Sequence, residues 1–383
     1  MNDFVEQLPF FTPEHRALSQ SIEAFSGREI EPLAFNEEDV DQRTRDYVAL
    51  LAQAGLLRYA VPAAQTAVDV RSLCLIREAL AYSSALADVA FVMQGLGTYA
   101  ISKAAPEHVR DFWLKRASEG KAIAAFALTE PEAGSDIAAI KTSARRDGET
   151  YVIDGTKRFI SNAGIADFYT VFARTSTRED GRAQLSAFVL GARMPGLSVT
   201  ERTPMMAAHP IGQIKFEGCR VPAEDMIGNE GDGFRLAMET LDVFRSSVGA
   251  AACGMAARAL DEAVDFASSR KQFGRLLVEH QLVQEKLADM STELDAARLL
   301  VYRAAYLKDS GIERITREAS EAKLFATEAA GRIIDNAVQI HGGAGLVRGS
   351  IVERLYRDIR ALRIYEGTSE IQKLVIASQL LRK

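Results

Sequence analysis

Cysteine is scarce in this 383-residue chain. Cys74, Cys219 and Cys253 are scattered with no Cys-x-x-Cys spacing, which excludes a disulfide framework and a zinc ribbon and leaves three reduced core residues. Histidine is sparse too: the five histidines are dispersed, with no His-Glu-x-x-His pair, and no Gly-x-Ser-x-Gly elbow occurs. Metal catalysis and serine hydrolysis therefore lack candidate residues, and no metal is expected. Long apolar runs are also missing. The longest of note, 248–257, is ten mostly small residues, against the roughly 18 that a bilayer crossing takes. Positive charge is not in excess either, since 46 Lys plus Arg oppose 52 Asp plus Glu for a formal charge of −6. That balance argues against a nucleic-acid partner. The amino-terminal stretch Met1-Asn2-Asp3-Phe4-Val5-Glu6 has neither a basic n-region nor an Arg/Ser bias, so the expected location is cytoplasmic.

What remains is ordinary globular composition, 48% hydrophobic and 26% charged, in a chain long enough for two or three domains. Residues 1–120 read as helices. Thr12 caps a helix opened by Pro13, Gly55 stops a second, Leu73, Ile76 and Leu80 mark a third, and Pro106 opens another that Gly120 ends. From about Lys121 the pattern changes to short aromatic and β-branched runs. Tyr151-Val152-Ile153, Asp154-Gly155 and 157–160 predict a hairpin turning on Asp-Gly. Further strands are expected at 169–174, 185–190, 197–200 and 214–216, and without long helices between them they should pair antiparallel as a small barrel or sandwich. Gly228, Gly231 and Gly233 mark the exit. After Phe234 helices return, and Val283, Leu287, Met290, Leu294, Ala297 and Val301 form a packing seam, internal to a four-helix bundle or in part a subunit contact. The blocks are thus 1–120, 121–230 and 231–383.

Gly95-Leu96-Gly97-Thr98-Tyr99-Ala100 matches a dinucleotide fingerprint in letters only. Its surroundings are helical, and Lys115 and Arg116 stand about 20 residues on, where an acidic residue is required. The loop Thr129-Glu130-Pro131-Glu132-Ala133-Gly134-Ser135-Asp136 follows an apolar strand and offers hydroxyls and backbone N–H groups to a polar ligand, or simply turns the chain with Ser135 or Asp136 as an N-cap. Phe159 and Ser161, two apart on a strand, share a face that could stack and bond a planar ligand, or are a core ring beside a strand-end serine. Gln339-Ile340-His341-Gly342-Gly343-Ala344-Gly345 ends a helix with bare backbone, as many C-caps do. In Arg363-Ile364-Tyr365-Glu366-Gly367-Thr368-Ser369-Glu370-Ile371-Gln372, a helix breaks and another starts with Ser369 and Gln372 as a capping box. Glu366 falls in the break, a functional carboxylate or a surface one.

In this order and at these separations the motifs resemble the acyl-CoA dehydrogenase flavoprotein family over essentially the whole chain, with Arg-Lys-Gln-Phe-Gly at 270–274 adding to the match. The resemblance implies an α+β fold with an N-terminal helical domain, a middle antiparallel β-barrel or sandwich and a C-terminal four-helix bundle, assembled as a homotetramer, a dimer of dimers, with FAD at the domain junction. It implies flavin contacts from Phe126, Leu128, Thr129, Gly134, Ser135, Phe159, Ile160 and Ser161. Contacts to a neighbouring subunit's FAD would come from Arg270, Gln272, Phe273, Gln281, Gln339, Gly342 and Gly343, and further cofactor contacts from Thr368 and Glu370. Ser135, Asp242, Arg245, Tyr365 and Gly367 would touch the acyl-CoA.

Glu366 matches the family's catalytic base. The alternative base position preceding the arginine of the Leu-Asp-x-x-Arg helix holds Phe244 here, before Arg245. The implied reaction is α,β-dehydrogenation of an acyl-CoA: Glu366 removes the α-proton, the β-hydrogen leaves as hydride to the flavin, and the Glu366 backbone N–H with a ribityl hydroxyl stabilises the enolate. Electron-transferring flavoprotein would reoxidise the enzyme. An oxygen-using oxidase or monooxygenase and a non-catalytic acyl-thioester binding module are the alternatives. Phe159, Ser161 and Glu132 depart from common family choices of Trp, Thr and Gly, and Glu132 adds a negative charge near the mouth of the site.

Overall fold

The computed structural model describes residues 2–381 apart from 36, 37, 65, 178, 180 and 182. Helices come first: α1 Asn2–Gln7, α2 Pro13–Phe25, α3 Val40–Gln53, α4 Val70–Ser83, α5 Ala85–Ala104 and α6 Glu107–Ser118. Strands follow: β1 Ala124–Ala127, β2 Ser143–Asp147, β3 Thr150–Ser161, β4 Phe168–Thr177, β5 Ala183–Gly191, β6 Leu197–Arg202, β7 Ile211–Pro222 and β8 Met226–Ile227. Then come α7 Gly233–Ser269, a small hairpin of β9 Lys271–Gln272 and β10 Arg275–Leu276, α8 Gln281–Asp309, α9 Thr316–His341, α10 Ile351–Leu362 and α11 Ser369–Leu380. By packing, the chain groups into two compact units. One holds Met1–Asn36, Asp69–Asp88 and Asp242–Lys383, and the other Glu37–Val68 and Val89–Leu241.

In the second unit the eight strands form one hydrogen-bonded sheet in the order β6-β7-β3-β2-β4-β5-β8, with β1 added on β4. Strand β4 reads Phe168-Tyr169-Thr170-Val171-Phe172-Ala173, apolar at nearly every position because both its faces are covered. Phe168 and Phe172 join Leu185, Val189 and residues of α5 and α6 in one core, while Tyr169, Val171 and Ala173 join Tyr151, Ile153, Ile214 and Phe216 of the facing strands in another. The pairing is not wholly antiparallel as the spacing predicted. β1 runs parallel to β4 over four residue pairs, and β2 meets β4 in parallel at Ser143 and Arg174. β1 enters straight from α6 and leaves by the long 128–142 loop, so no hairpin constrains its direction.

The predicted hairpin at Asp154-Gly155 is also displaced. β3 runs unbroken through it, and the turn is one Asp-Gly earlier, where Gly148 takes φ +62 between β2 and β3. Asp154-Gly155 is a bulge: the register with β7 shifts there, Asp154 Oδ1 accepts from the Gly218 N–H at 2.7 Å, and a Cβ on Gly155 would lie 2.5–2.7 Å from Thr142.

The seam on α8 is internal where Met290, Leu294, Ala297 and Val301 are buried, but Val283 and Leu287 are only half-buried and Leu282 is 73% exposed. Among the described helices, α5 is long and apolar enough to cross a membrane, and 89% of its most apolar window is buried inside the fold. The run escaped notice in the sequence because Asp88, Gln94, Thr98 and Ser102 interrupt it, and each of these is buried and bonded. The Gly95–Ala100 fingerprint lies within this helix, as its helical context predicted, and the Gly97 carbonyl accepts from the Thr170 hydroxyl at 2.6 Å.

Candidate active site

Four non-glycine residues among those described have left-handed backbone: Phe159 (φ +55), Asn162 (+64), Phe273 (+53) and Glu366 (+54). For aromatic and carboxylate side chains that conformation carries a cost of order 1 kcal/mol or more, and it persists where the surroundings over-determine it. Three of the four are residues expected to act, and the fourth lies in the 159–164 motif.

Glu366 occupies the loop between α10 and α11. Its own carbonyl accepts from Gln372 Nε2 at 3.1 Å and Arg245 Nε at 3.4 Å, and the Gly367 carbonyl accepts from Gln372 Nε2 at 3.1 Å and from Lys323 Nζ at 2.7 Å. Gly367 takes φ +95, and a Cβ there would come within 2.6 Å of Gln372 Nε2. The loop is thus clamped by its carbonyls, while the Glu366 N–H donates to no described residue. The predicted capping box is replaced: Thr368 is the N-cap, its hydroxyl accepting from the Ile371 N–H at 3.3 Å, because Gln372 is already committed to the loop carbonyls and Ser369 Oγ donates to Glu328 at 2.5 Å.

The Glu366 residue is half-buried, yet its Oε2 has no solvent contact and no hydrogen-bond partner. Desolvation pushes this carboxyl above the usual carboxylate range, opposed by the positive charges of Arg77, Arg245 and Lys323 and reinforced by Asp88. Arg77 is 1% exposed, grips Asp88 with two bonds of 2.7 Å and donates to Ser247 at 2.8 Å. Lys323 is fully buried; burial draws its ammonium down to about 8, with the Glu366 carboxylate as the main opposing influence. Arg245, 7% exposed, pairs with Asp242 at 2.7 Å. Tyr365 and Gly367 flank Glu366 and are half-buried.

In the sheet unit, the 129–136 loop is tied to β3 beside Phe159: the Thr129 carbonyl accepts from the Arg158 N–H at 2.9 Å. The side-chain hydroxyls of Thr129 and Ser135 bond no described residue, nothing lies within 4 Å of where a Gly134 Cβ would be, and the Phe159 ring is 49% exposed under the Arg158 guanidinium, 5.0 Å away. Ser161 Oγ lies 2.8 Å from His209 Nε2. Phe126 is half-buried; Leu128 and Ile160 bury their side chains in the two cores. The bulge between Lys157 and Ile160 and the turned backbone at Phe159 break strand alternation, so the shared face inferred for Phe159 and Ser161 is not that of a regular strand. Instead of a helix N-cap, the 129–136 loop ends in a single 3₁₀ turn, Ile137–Ala139. Its brace is Glu130, 6% exposed, which accepts from Lys157 Nζ at 2.9 Å and from the N–H groups of Lys141 and Thr142 at 2.7 and 2.9 Å. Glu132 is exposed on the same loop.

A third group lies at one end of the helical unit, where the Phe266 and His341 rings stack at 4.3 Å and join the end of α7 to the end of α9. Arg270, Gln272, Phe273, Gln281, Gln339, Gly342 and Gly343 are all exposed there, Phe273 at 93%. Glu370 is exposed and Thr368 half-buried. Sequence reasoning did not find Lys323, the Arg77–Asp88 pair, Lys157 or His209. The available signal was a lone cation inside an apolar helix stripe or strand, as at Lys323 and Lys157.

The chain matches the models of the acyl-CoA dehydrogenase N-terminal domain over residues 12–121, the middle domain over 125–219 and the C-terminal domain over 231–381. It is 40% identical to a 3-(aryl)acrylate reductase of Clostridium sporogenes, covering 97% of this chain and 100% of the relative. Identity is 36% to a cyclohexane-1-carbonyl-CoA dehydrogenase of Geobacter metallireducens, covering 97% and 98%. Among solved structures, butyryl-CoA dehydrogenase from Megasphaera elsdenii superposes with a TM-score of 0.89 at 33% identity, over 97% of this chain and 99% of that one.

Proposed function

The chain belongs to the acyl-CoA dehydrogenase family, and from that premise we propose that Glu366 is the base of its reaction. The protein is an FAD-dependent oxidoreductase that dehydrogenates an acyl-CoA and passes electrons to electron-transferring flavoprotein. The observation that carries the assignment of Glu366 is the buried, unpartnered Oε2 on a turned backbone beside three cations. A thioester α-proton is weakly acidic, so its acceptor must be a carboxylate raised toward neutrality but still ionised. Desolvation supplies the first property, and Arg77, Arg245 and Lys323 the second. The free Glu366 N–H is the donor for the thioester oxygen as negative charge develops.

The residues present fit the flavin: free hydroxyls on Thr129 and Ser135, the open backbone at Gly134 and the exposed Phe159 ring offer bonding and stacking groups. Bound FAD supplies the two-electron acceptor for the β-hydrogen. Thr129, Ser135, Phe159 and Ser161 hold and orient it, with main-chain contacts from Leu128 and Ile160. Asp242 and Tyr365 meet the acyl-CoA, and Arg245 holds the Glu366 loop. Exposed Arg270, Gln272, Phe273, Gln281, Gln339, Gly342 and Gly343 complete the cofactor site of a second copy in a homotetramer; Leu282, Leu346 and Val347, exposed by 61–73%, support burial of that surface by another subunit. The same residues serve the reverse direction, which the aryl-acrylate reductase relative is named for, since a carboxyl raised by burial can also return a proton.

The test is Glu366→Gln. The variant retains yellow flavin, and its anaerobic bleaching by acyl-CoA slows by about 10²–10⁴-fold, the usual contribution of a positioned base. Undiminished bleaching would reject the assignment. Acyl-CoA turnover that generates hydrogen peroxide without added electron-transferring flavoprotein would favour the oxidase reading.

A further inference from the structure

The loop entering β7 sets an imidazole on the Ser161 hydroxyl. β3 and β7 pair through Ile160 with Gly212 and Ser161 with Ile211, and the ladder gains one more step where the Asn162 N–H donates to the Pro210 carbonyl at 2.6 Å. His209 is thereby held at the end of β3, its Nε2 2.8 Å from Ser161 Oγ. Asn162 fixes that strand end from behind: with φ +64, its Nδ2 donates to the Ala124 carbonyl at 2.8 Å. Nδ1 of His209 bonds no described residue. Burial holds the imidazole down at about 4, so the ring is neutral across the neutral range and carries one N–H and one lone pair. With Nδ1 uncommitted, either tautomer is open to it. Nε2 can donate to the hydroxyl or accept from it, and the hydroxyl then presents its hydrogen or its lone pair to whatever faces it.

We infer that His209 is a positioning residue that acts through Ser161, turning the hydroxyl to donate to, or accept from, a ligand ring nitrogen that is bare in one oxidation state and protonated in the other. The inference rests on the reading of Ser161 as a flavin contact. It accounts for a histidine held at hydrogen-bond distance from that serine by an extended β-ladder, a contact the proposed proton transfer at Glu366 does not use.

The test uses purified holoenzyme and two readouts that need no substrate: the visible flavin spectrum and the midpoint potential from a dye-coupled reductive titration. Four variants are compared with the parent: Ser161→Ala, His209→Ala, the double variant and His209→Gln. Ser161→Ala should change the relative affinity for oxidised and reduced flavin by about tenfold, which for a two-electron couple is about 30 mV. His209→Ala should shift the potential in the same direction, the double variant should go no further than Ser161→Ala, and His209→Gln, which keeps a donor and an acceptor, should stay near the parent. A parent-like His209→Ala beside a shifted Ser161→Ala overturns the inference and leaves the flavin reading standing, as does simple additivity in the double variant. A parent-like Ser161→Ala overturns the flavin reading and the inference with it. If the alanine variant loses its flavin, His209→Leu against His209→Gln makes the same comparison, and a parent-like potential in the leucine variant overturns the inference.

Discussion

Lys323 Nζ donates to the Gly367 carbonyl at 2.7 Å, placing a fully buried ammonium behind the loop that carries Glu366. That cation does two things: it clamps the turn, and its charge lowers a carboxyl that burial raises. Lys323→Met removes both. The Glu366 carboxyl then rises further, and at a pH below its original value each unit of rise leaves about tenfold less of the reactive carboxylate. The acid limb of the pH profile for anaerobic flavin reduction should move to higher pH, with a rate loss that is largest on the acid side and shrinks toward the alkaline plateau. Lys323→Arg keeps the charge and should restore part of the limb's position. An unmoved limb in the methionine variant would show that the lysine serves only as a clamp.

Asp88 acts on the same carboxyl with the opposite sign. Its two 2.7 Å bonds neutralise Arg77 inside the helical unit, and its negative charge pushes Glu366 up. Asp88→Asn leaves a buried guanidinium without its counter-charge, which typically costs about 3–5 kcal/mol of stability. The same change lets Arg77 draw Glu366 down, so the acid limb should move to lower pH while the denaturant midpoint falls. Unfolding curves and pH–rate profiles on one preparation check both signs.

The 129–136 loop depends on a buried ion pair. The Glu130 carboxyl lies below its ordinary range: burial alone would raise it, but Lys157, the Thr142 and Lys141 N–H groups and the Lys157 hydrogen bond outweigh that. A carboxyl depressed by folding adds stability that is fully present above its unfolded value of about 4.3 and disappears as pH falls through the lower folded value. Glu130→Gln should abolish this acid-side dependence and leave the buried Lys157 amine without its counter-charge, for a loss of about 3 kcal/mol at pH 7. Release of FAD at lower denaturant than in the parent, followed by flavin fluorescence, reports the loosened loop. Unchanged flavin release would separate the ion pair from the cofactor loop.

Most of the chain's elements were legible because local periodicity and capping chemistry determine them. Thr12, Pro13, Gly55, Pro106 and Gly120 bound their helices where they were expected to. The Glu366 loop was visible as a break between two helical patterns. What was hidden depends on pairings distant in sequence. Two Asp-Gly steps flank the start of β3, and only the pairing of β3 with β7, over sixty residues on, makes the second one a bulge. The parallel placement of β1 on β4 has no local signal at all. Lys157 and Glu130 are 27 residues apart, and Arg77 and Ser247 are 170 apart, so each buried cation reads as a misfit in an apolar stretch until the fold supplies its partner. His209 is hidden for the same reason, its serine lying 48 residues away.

Phe159 offers a way to separate folding from cofactor binding. Its backbone is left-handed at φ +55 and its ring is 49% exposed, so the fold bears a conformational cost of order 1 kcal/mol without burying the aromatic surface that would ordinarily repay it. A side chain retained at that cost points to a bound planar partner. Phe159→Gly removes the ring and relieves the backbone together, since glycine takes positive φ readily. The apoprotein, stripped of flavin, should then be at least as stable as the parent in thermal unfolding, because relief of the turn offsets the added freedom of glycine in the unfolded chain. Affinity for FAD should fall by about two- to tenfold, as loss of a single stacked ring costs about 0.5–1.5 kcal/mol. Phe159→Leu keeps the strained backbone and part of the apolar area, and should lose both stability relative to the glycine variant and flavin affinity relative to the parent. Titration of each apoprotein with FAD alongside its melting curve distinguishes the cases. A glycine variant that melts well below the parent while binding FAD normally would show that the ring belongs to the fold, leaving its exposure without a ligand to explain it.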